Sequence, residues 1–511
     1  MGGVFSRKRT ARASFDAIQA PTLALPDAKP AVQAERPSIP AVGVPVATAF
    51  VPSTPAAPLA LRVSSEKVQL SHDKTHTILA MVSLKAPSAP EKMKRPPIDL
   101  VACIDRSGSM QGKKMQLMRQ TLELLVTRAG LNGDDRISFV TFDREVKLDL
   151  PLVPMDKAGQ ARATQVVMGV HPGSTTNLSG GVLKSVDVLG SSKHETDGNR
   201  TRAVMVFTDG LANEGITDTP GIIAAATGAL SAASAAVGGP ISVFTFGFGA
   251  DHNEDCLRTL ATNSGPGGLY YYIGSAEDIP NAFADCLGGL TSVVAQNATL
   301  QLEGLQGSSV SRVLGSAYTH DAQGHVTLGD LFAEDEKDIL LEVALPKLTG
   351  AAGPCDVLSA TLRAFNVNSS APEVVKVTLE LDRPTNTPAN QPVNLELDAQ
   401  RNRIETAEAM ENATQMADAG DVAGGRSVLA ACKMRVGQTY SANQTLSAGL
   451  VREMGMLEQH FESATAYRTV GSKMSRMSAM SHARQRTVHT NAGMYRSAAS
   501  HKSSLKASWG F

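Results

Sequence analysis

The sequence predicts an α/β architecture: a doubly wound, mostly parallel sheet inserted in or followed by a β-sandwich, then a C-terminal helical bundle. Three observations lead there. Between residues 97 and 290, short and almost wholly apolar runs alternate with helix-period segments, the signature of parallel strands covered by helices on both faces. From 291 to 390 the pattern changes to two-residue alternation broken by turns, which predicts antiparallel strands. From 391 to 465 apolar residues recur at three- and four-residue spacing, as on packed helices.

Taken in order, residues 1–59 bury no core: prolines stand at 21, 26, 30, 37, 40, 45, 52, 55 and 58 among Ala and Ser, the composition of a linker. The start, Met1-Gly2-Gly3-Val4-Phe5-Ser6, fits the pattern for N-myristoylation at Gly2 once Met1 is removed. Arg7, Lys8, Arg9 and Arg12 supply the basic cluster that a single acyl chain needs for stable attachment to an acidic membrane surface. Residues 60–96 hold two alternating segments, Leu61–Val68 and His76–Leu84, read as strands that complete the later β-domain.

Within 97–290 the reading is strand 98–105, helix 113–129, strand 135–142, short strand 146–150, and helices 157–169 and 178–190. Strand 202–208, helix 219–236, strand 241–248, helix 254–263, strand 269–273 and helix 276–290 follow. Thr219 to Ala250 carries no charge, but Ala, Ser and Gly dominate it and Gly238-Gly239-Pro240 interrupts it. It reads as a small-residue helix packed on the sheet and the buried strand after it, not as a membrane span. In 391–465 three stripes stand out: Ile404, Ala407 and Met410; Val428, Leu429, Cys432 and Val436; and Leu446, Leu450, Met454, Leu457 and Phe461. Residues 466–511 hold eight Lys and Arg and no acid, are rich in Ser, and read as a disordered tail that attracts acidic lipid. Ser475, Ser478 and Ser500 among those cations would let phosphorylation weaken that attraction.

The chemistry is concentrated at strand ends. The run Ile98–Ile104 finishes in Asp105-Arg106-Ser107-Gly108-Ser109, one carboxylate and two hydroxyls at alternating positions. In a doubly wound sheet this is the edge where ligands sit. Hard oxygen donors of this kind suit Mg²⁺, Mn²⁺ or Ca²⁺. By itself the pattern is also an ordinary turn composition. Two more segments join it: Gly173-Ser174-Thr175-Thr176-Asn177, opening a helix, and Ala203–Thr208, a second buried strand that ends in Asp209.

These three pieces, in this order, resemble the von Willebrand factor type A (VWA) domain, whose fold is Rossmann-like, and match its metal-ion-dependent adhesion site. The resemblance implies Asp105, Ser107 and Ser109 as first-loop ligands, Thr176 as the second-loop ligand, and Asp209 as the third, often acting through water. It implies a divalent cation, Mg²⁺ first with Mn²⁺ or Ca²⁺ as alternatives, and a protein partner that supplies an acidic residue to it. The β and helical regions resemble intracellular proteins of the inter-α-trypsin-inhibitor-heavy-chain-like and VWA–Hint-associated type.

Composition narrows the rest. With 48 Lys and Arg against 49 Asp and Glu, charge gives no reason to expect specific nucleic-acid binding. Five dispersed cysteines, with no C-x-x-C pair, and a start that lacks a signal-peptide pattern point to a reducing, cytoplasmic setting, peripheral on a membrane if Gly2 is acylated. No H-E-x-x-H, G-x-S-x-G or P-loop pattern is present, so the reading is an adhesion or scaffold module and not an enzyme. The alternatives are a substrate adaptor in ubiquitin transfer, an extracellular-matrix protein, which the missing signal pattern and odd cysteine count disfavour, and a metal-dependent hydrolase.

Overall fold

Strand β3 (Ile98–Asp105) is the spine of the parallel sheet, and all eight of its residues are buried. In the computed structural model the residues described are 58–89, 95–192, 200–265, 267–275, 278–318, 320–350 and 352–486. Gly2 and the rest of 1–57, with their acylation pattern and linker, lie outside them, as do 487–511 with Ser500.

Two sandwich strands precede β3: β1 (Ala60–Ser65) and β2 (His76–Lys85). After it come α1 (Lys113–Arg128), β4 (Arg136–Phe142), β5 (Val146–Pro154), α2 (Lys157–Gly169), α3 (Leu178–Gly190) and β6 (Thr201–Thr208). Then follow α4 (Thr219–Val237), β7 (Ile241–Phe248), α5 (Glu254–Asn263), β8 (Tyr270–Ile273) and α6 (Asp278–Leu290). The strand order is β5-β4-β3-β6-β7-β8, with β5 antiparallel and the other neighbours parallel. Since β3 lies beside β6 with Ile104 opposite Phe207, the acids that end these two strands arrive side by side.

Helix α4 is long and apolar enough to span a bilayer by length and composition alone. It instead lays Ile222, Ala226, Leu230, Ala233 and Val237, one residue per turn, into the core. Asp218 caps its start by accepting from Gly221 N, and Gly238, at φ 70°, ends it in the left-handed conformation.

The later strands are β9 (Val293–Gly304), β10 (Ser309–Val313), β11 (His325–Phe332), β12 (Glu336–Leu345), β13 (Gly353–Asn366) and β14 (Ala371–Arg383). They form two four-stranded sheets, β1-β2-β12-β10 and β11-β9-β13-β14. The long pairing of β2 with β12, from His76–Leu345 to Lys85–Glu336, decides between the two predicted arrangements: the parallel-sheet region is inserted into the sandwich. Leu61, Val63, Ile78 and Val82 share one core with Leu300, Leu341, Val357 and Leu379. Strand β10, only Ser309–Val313, is the shortest of these six and mostly exposed.

Helices α7 (Leu395–Asp418), α8 (Val422–Val436) and α9 (Thr445–His460) form the bundle, with Met410, Leu429, Cys432, Leu450, Met454 and Phe461 in its core.

The tail expectation fails over 466–486. One short turn, α10 (Ala464–Ala466), runs through a π-helical stretch (Tyr467–Gly471) into α11 (Ser472–Arg484). This helix is a buried strap between the inserted region, the sandwich and the bundle. Met477 and Met480 join the core of the parallel-sheet region, and Tyr467 and Ala479 join that of the bundle. Its cations are consumed internally. Arg476 meets Glu254, Asp255 at 2.7 Å and Asp418 at 2.6 Å, while Lys473 stands 3.5 Å from Glu254. Arg484 donates to the carbonyls of Thr262 and Gly265, and Arg486 to those of Gly267 and Asp330. Composition suggested disorder because these partners lie more than two hundred residues away in sequence for the first of them. Ser475 and Ser478 are fully buried, so the phosphorylation expected at them has no exposed hydroxyl to act on.

Lys337 closes the strap. Its fully buried ammonium donates to the carbonyls of Arg484 (3.0 Å) and Gln485 (3.3 Å) at the end of α11. Burial pushes this group down from 10.5 to about 8; Asp335 opposes the shift and Arg486, Arg484 and Arg403 add to it. The unfolded chain therefore holds the proton more tightly, and stability rises with pH between about 8 and 10.5 as the buried charge is discharged. Wild-type stability relative to Lys337→Met should increase by roughly 2–3 kcal/mol from pH 7 to pH 10. Urea midpoints at the two values measure it, and a constant difference would refute it.

Candidate functional site

Three loops meet at the C-terminal edge of the parallel sheet, each stitched to the next by backbone. Gly108 N donates to Ser174 O (2.8 Å) and Gly173 N to Arg106 O, joining the first loop to the second. Thr176 N donates to Asn213 Oδ1 (2.7 Å), and Thr176 O accepts from the amides of Asn213 and Glu214, joining the second to the third. Asn177 caps α3 by accepting from Gly180 N, which fixes where Thr176 leaves the loop.

Inside this frame Asp105 is fully buried. Its Oδ1 accepts from Ser107 N (2.8 Å) and its Oδ2 from the Thr208 hydroxyl (2.5 Å). The Ser107 and Ser109 hydroxyls are 3.0 Å apart, and Ser109 Oγ donates to Asp209 Oδ1 at 2.9 Å. Lys114 Nζ donates to Asp209 Oδ2 at 2.5 Å. Gly210 leaves the space in which two hydroxyls converge: a Cβ built there would stand 3.4 Å from Ser109 Oγ and 3.5 Å from Thr176 Oγ1. Asp105, Ser107, Ser109, Thr176 and Asp209 are thus brought to one place. Burial pushes the Asp105 carboxyl up to about 6; the Ser107 and Thr208 hydrogen bonds oppose this and the Asp209 charge adds to it.

The donor set fits a hard divalent cation. It offers two buried carboxylates, three hydroxyls and a cradle kept open by glycine, all oxygen. Among the described residues no group of three or more His, Cys, Asp and Glu is arranged to hold a metal, so any ion here depends on the hydroxyls.

Sequence reasoning missed Lys114, the Thr208 hydroxyl on Asp105, and the clasp made by Asn213. Their common feature is that each acts across loops, where no spacing rule applies. Asp143 is a further support. It takes Arg106 at 2.9 Å and the amide of Glu145, and its carbonyl accepts from Asn177 N. A Cβ on Gly173 would lie 2.0 Å from Asp143 Oδ2, and the tethers leave that carboxylate little room to move. Gly173→Ala should therefore cost about 1–3 kcal/mol by overpacking and weaken cation binding in parallel. Thermal melts and metal titration of the variant measure both, and an unchanged variant would remove Asp143 from the frame.

Residues 99–285, the stretch that carries all three loops, match the family model for the von Willebrand factor type A domain. This part of the chain is a VWA domain. The VWA domain is a protein-interaction module. Of proteins similar to the chain, E3 ubiquitin-protein ligase WAV3 of Arabidopsis thaliana is 28% identical over 260 residues, which is 49% of this chain and 31% of that protein. Inter-alpha-trypsin inhibitor heavy chain H3 of Mus musculus is 30% identical over 176 residues, 34% of this chain and 19% of that one. The matched stretch is thus under a third of either relative's length. Among solved structures, a von Willebrand factor type A protein from Catenulispora acidiphila aligns with a TM-score of 0.62 over 85% of this chain and 97% of that chain, at 15% identity. That likeness shows that the VWA domain, sandwich and helices occur together as one fold.

Proposed function

We propose that the VWA domain binds a partner protein through a divalent cation held by Asp105, Ser107, Ser109, Thr176 and Asp209, Mg²⁺ first. The observation that carries this reading is the chain of hydrogen bonds Ser107–Ser109–Asp209 beside buried Asp105, with the Ser109 and Thr176 hydroxyls flanking the space that Gly210 leaves open. The ion would supply a Lewis-acidic position for a carboxylate of the partner. The protein's own residues do the rest: Asp105 and the hydroxyls hold, Asn213 and Asn177 fix the loops, and Thr208 orients the Asp105 carboxylate. A divalent ion and the Lys114 ammonium together carry one more positive charge than the Asp105 and Asp209 carboxylates, which favours an anionic ligand.

The role is binding and not catalysis. His252, the imidazole of the neighbouring β7–α5 loop, has both nitrogens engaged, with Gly249 O at 2.9 Å and the Tyr270 hydroxyl at 2.6 Å. Burial, aided by the Lys473 charge, lowers it to about 4, so it is neither free nor basic enough to serve as a general base at neutral pH. Calorimetric titration of the full chain with Mg²⁺ and Mn²⁺ tests the reading. One site per chain is expected; a folded chain that takes up neither ion at millimolar concentration would overturn it.

A second reading, substrate adaptor in ubiquitin transfer, is favoured by the name of the WAV3 relative. It requires a ligase that co-purifies with the chain. Association that survives a chelator would place that contact outside the cation site.

A further inference from the structure

We propose that Lys114 is a resident counter-ion of the site, displaced from Asp209 toward Asp251 when the divalent cation binds. The inference rests on the reading of Asp105, Ser107, Ser109, Thr176 and Asp209 as a cation site.

Local helix physics does not explain Lys114. It is the second residue of α1, whose N-cap is Gly112 with no side-chain cap, and no acid stands in the first turn. Two lysines there face the positive end of the helix dipole, where acids are favoured and cations are not. The tertiary contact supplies the missing reason. The Lys114 ammonium lies 2.5 Å from Asp209 Oδ2, and its carboxylate partner is wholly buried.

The surrounding loop is shaped to the lysine stem. Gly249, at φ 73°, approaches so closely that a Cβ would be 3.2 Å from Lys114 Cε. Gly249 is held in turn by its amide on Ile273 O and by its carbonyl on His252. Within the same reach, 3.8 Å from Nζ, is Asp251 Oδ2. The two acids differ in the way an exchange requires: the Asp209 side chain is 0% exposed and that of Asp251 is 82% exposed.

Charge then sets the order of events. Ser109 bonds one oxygen of Asp209 and Lys114 the other. A divalent ion held by Ser107 and Ser109 would share the Asp209 carboxylate with an ammonium. Two cations on one carboxylate repel, and moving Lys114 to the solvent-facing Asp251 relieves the repulsion. Without the ion, Lys114 neutralises Asp209 and spares the fold an unpaired buried charge. With it, the displaced ammonium stays at the rim, where it favours an acidic partner.

The test is calorimetric titration of Mg²⁺ and Mn²⁺ into full chains: wild type, Lys114→Met, Lys114→Gln, Asp251→Asn and Asp105→Ala. Removing the competing charge should tighten ion binding in both Lys114 variants by about tenfold or more. Lys114→Gln keeps a donor for Asp209, so it preserves a folded comparison if Lys114→Met melts early. Asp251→Asn, which takes away the alternative partner, should weaken binding by roughly twofold to fivefold. A merely structural lysine would give looser binding or none when removed, so a gain in affinity is the diagnostic result. Folded Lys114 variants that bind the ion no tighter than wild type would overturn the exchange while leaving the cation site intact, provided Asp105→Ala abolishes binding. Absence of binding in wild type and both Lys114 variants would overturn the cation site and the exchange together. Binding by the Lys114 variants alone would establish both and show that Lys114 shuts the resting site.

Discussion

Ending the chain at Glu462 lowers the thermal midpoint by on the order of 10 °C or more and separates the melting of the VWA domain from that of the bundle. The deletion removes Met477 and Met480 from the VWA core and Tyr467 from the bundle core. Burying one such side chain is worth about 1.5–3 kcal/mol, so these contacts alone are a large part of a typical 5–15 kcal/mol of stability. The loss also strips Arg486 from the face of Phe332, 3.9 Å from the ring centroid, and uncovers the acids at the start of α5. At roughly 2–4 °C per kcal/mol for domains of this size, the shift follows. Calorimetry of the full and shortened chains measures it, and equal midpoints would mean that the strap is decoration. A graded form is Arg476→Ala. Removing one partner of a buried pair costs about 3–5 kcal/mol, but Asp255 and Asp418 are 54% and 42% exposed, which brings the expectation nearer 2 kcal/mol.

At the proposed cation site, Asp105→Asn weakens binding about a hundredfold or more with little loss of fold. The proposed ligand role and the structural role of this carboxylate can be separated, because an amide still offers Oδ1 to the Ser107 amide. Outer partners of a metal site are alone worth 10- to 100-fold in affinity, so replacing a direct anionic ligand should cost on the order of a hundredfold at least. Stability should change by only about 1 kcal/mol, since loss of the Thr208 hydrogen bond is set against relief from holding a buried charge. Titration with Mg²⁺ beside urea unfolding reads both quantities. Retained affinity in the variant would remove Asp105 from the ligand set.

Both experiments bear on what was legible beforehand. The central strands of the VWA domain were legible because a strand buried on both faces is a near-continuous apolar run, as Leu100–Ile104 and Ala203–Phe207 are. The oxygens after β3 and β6 were legible as strand-end turns, whereas the set of five, with Thr176 from the α2–α3 loop, was what the resemblance to the VWA domain implied. Lys114 was not, because nothing in a helix's first turn says which carboxylate lies across the sheet edge. For the strap, composition misled. A run without acids looks unable to balance its own charge, and it does not: Glu254, Asp255 and Asp418 balance it from elsewhere. A signal was present in Met474, Met477 and Met480, three apolar residues at helical spacing.

Apart from the strap, the sequence by itself determined the main strands and helices and which oxygens end the two central strands, because these follow from local periodicity and turn chemistry. Tertiary structure alone decided that β2 pairs with β12 across the inserted VWA domain, that α11 is buried, and that an ammonium sits on Asp209. The reason is that pairing and charge compensation depend on distances through space, and residues far apart along the chain leave no spacing from which such distances can be read.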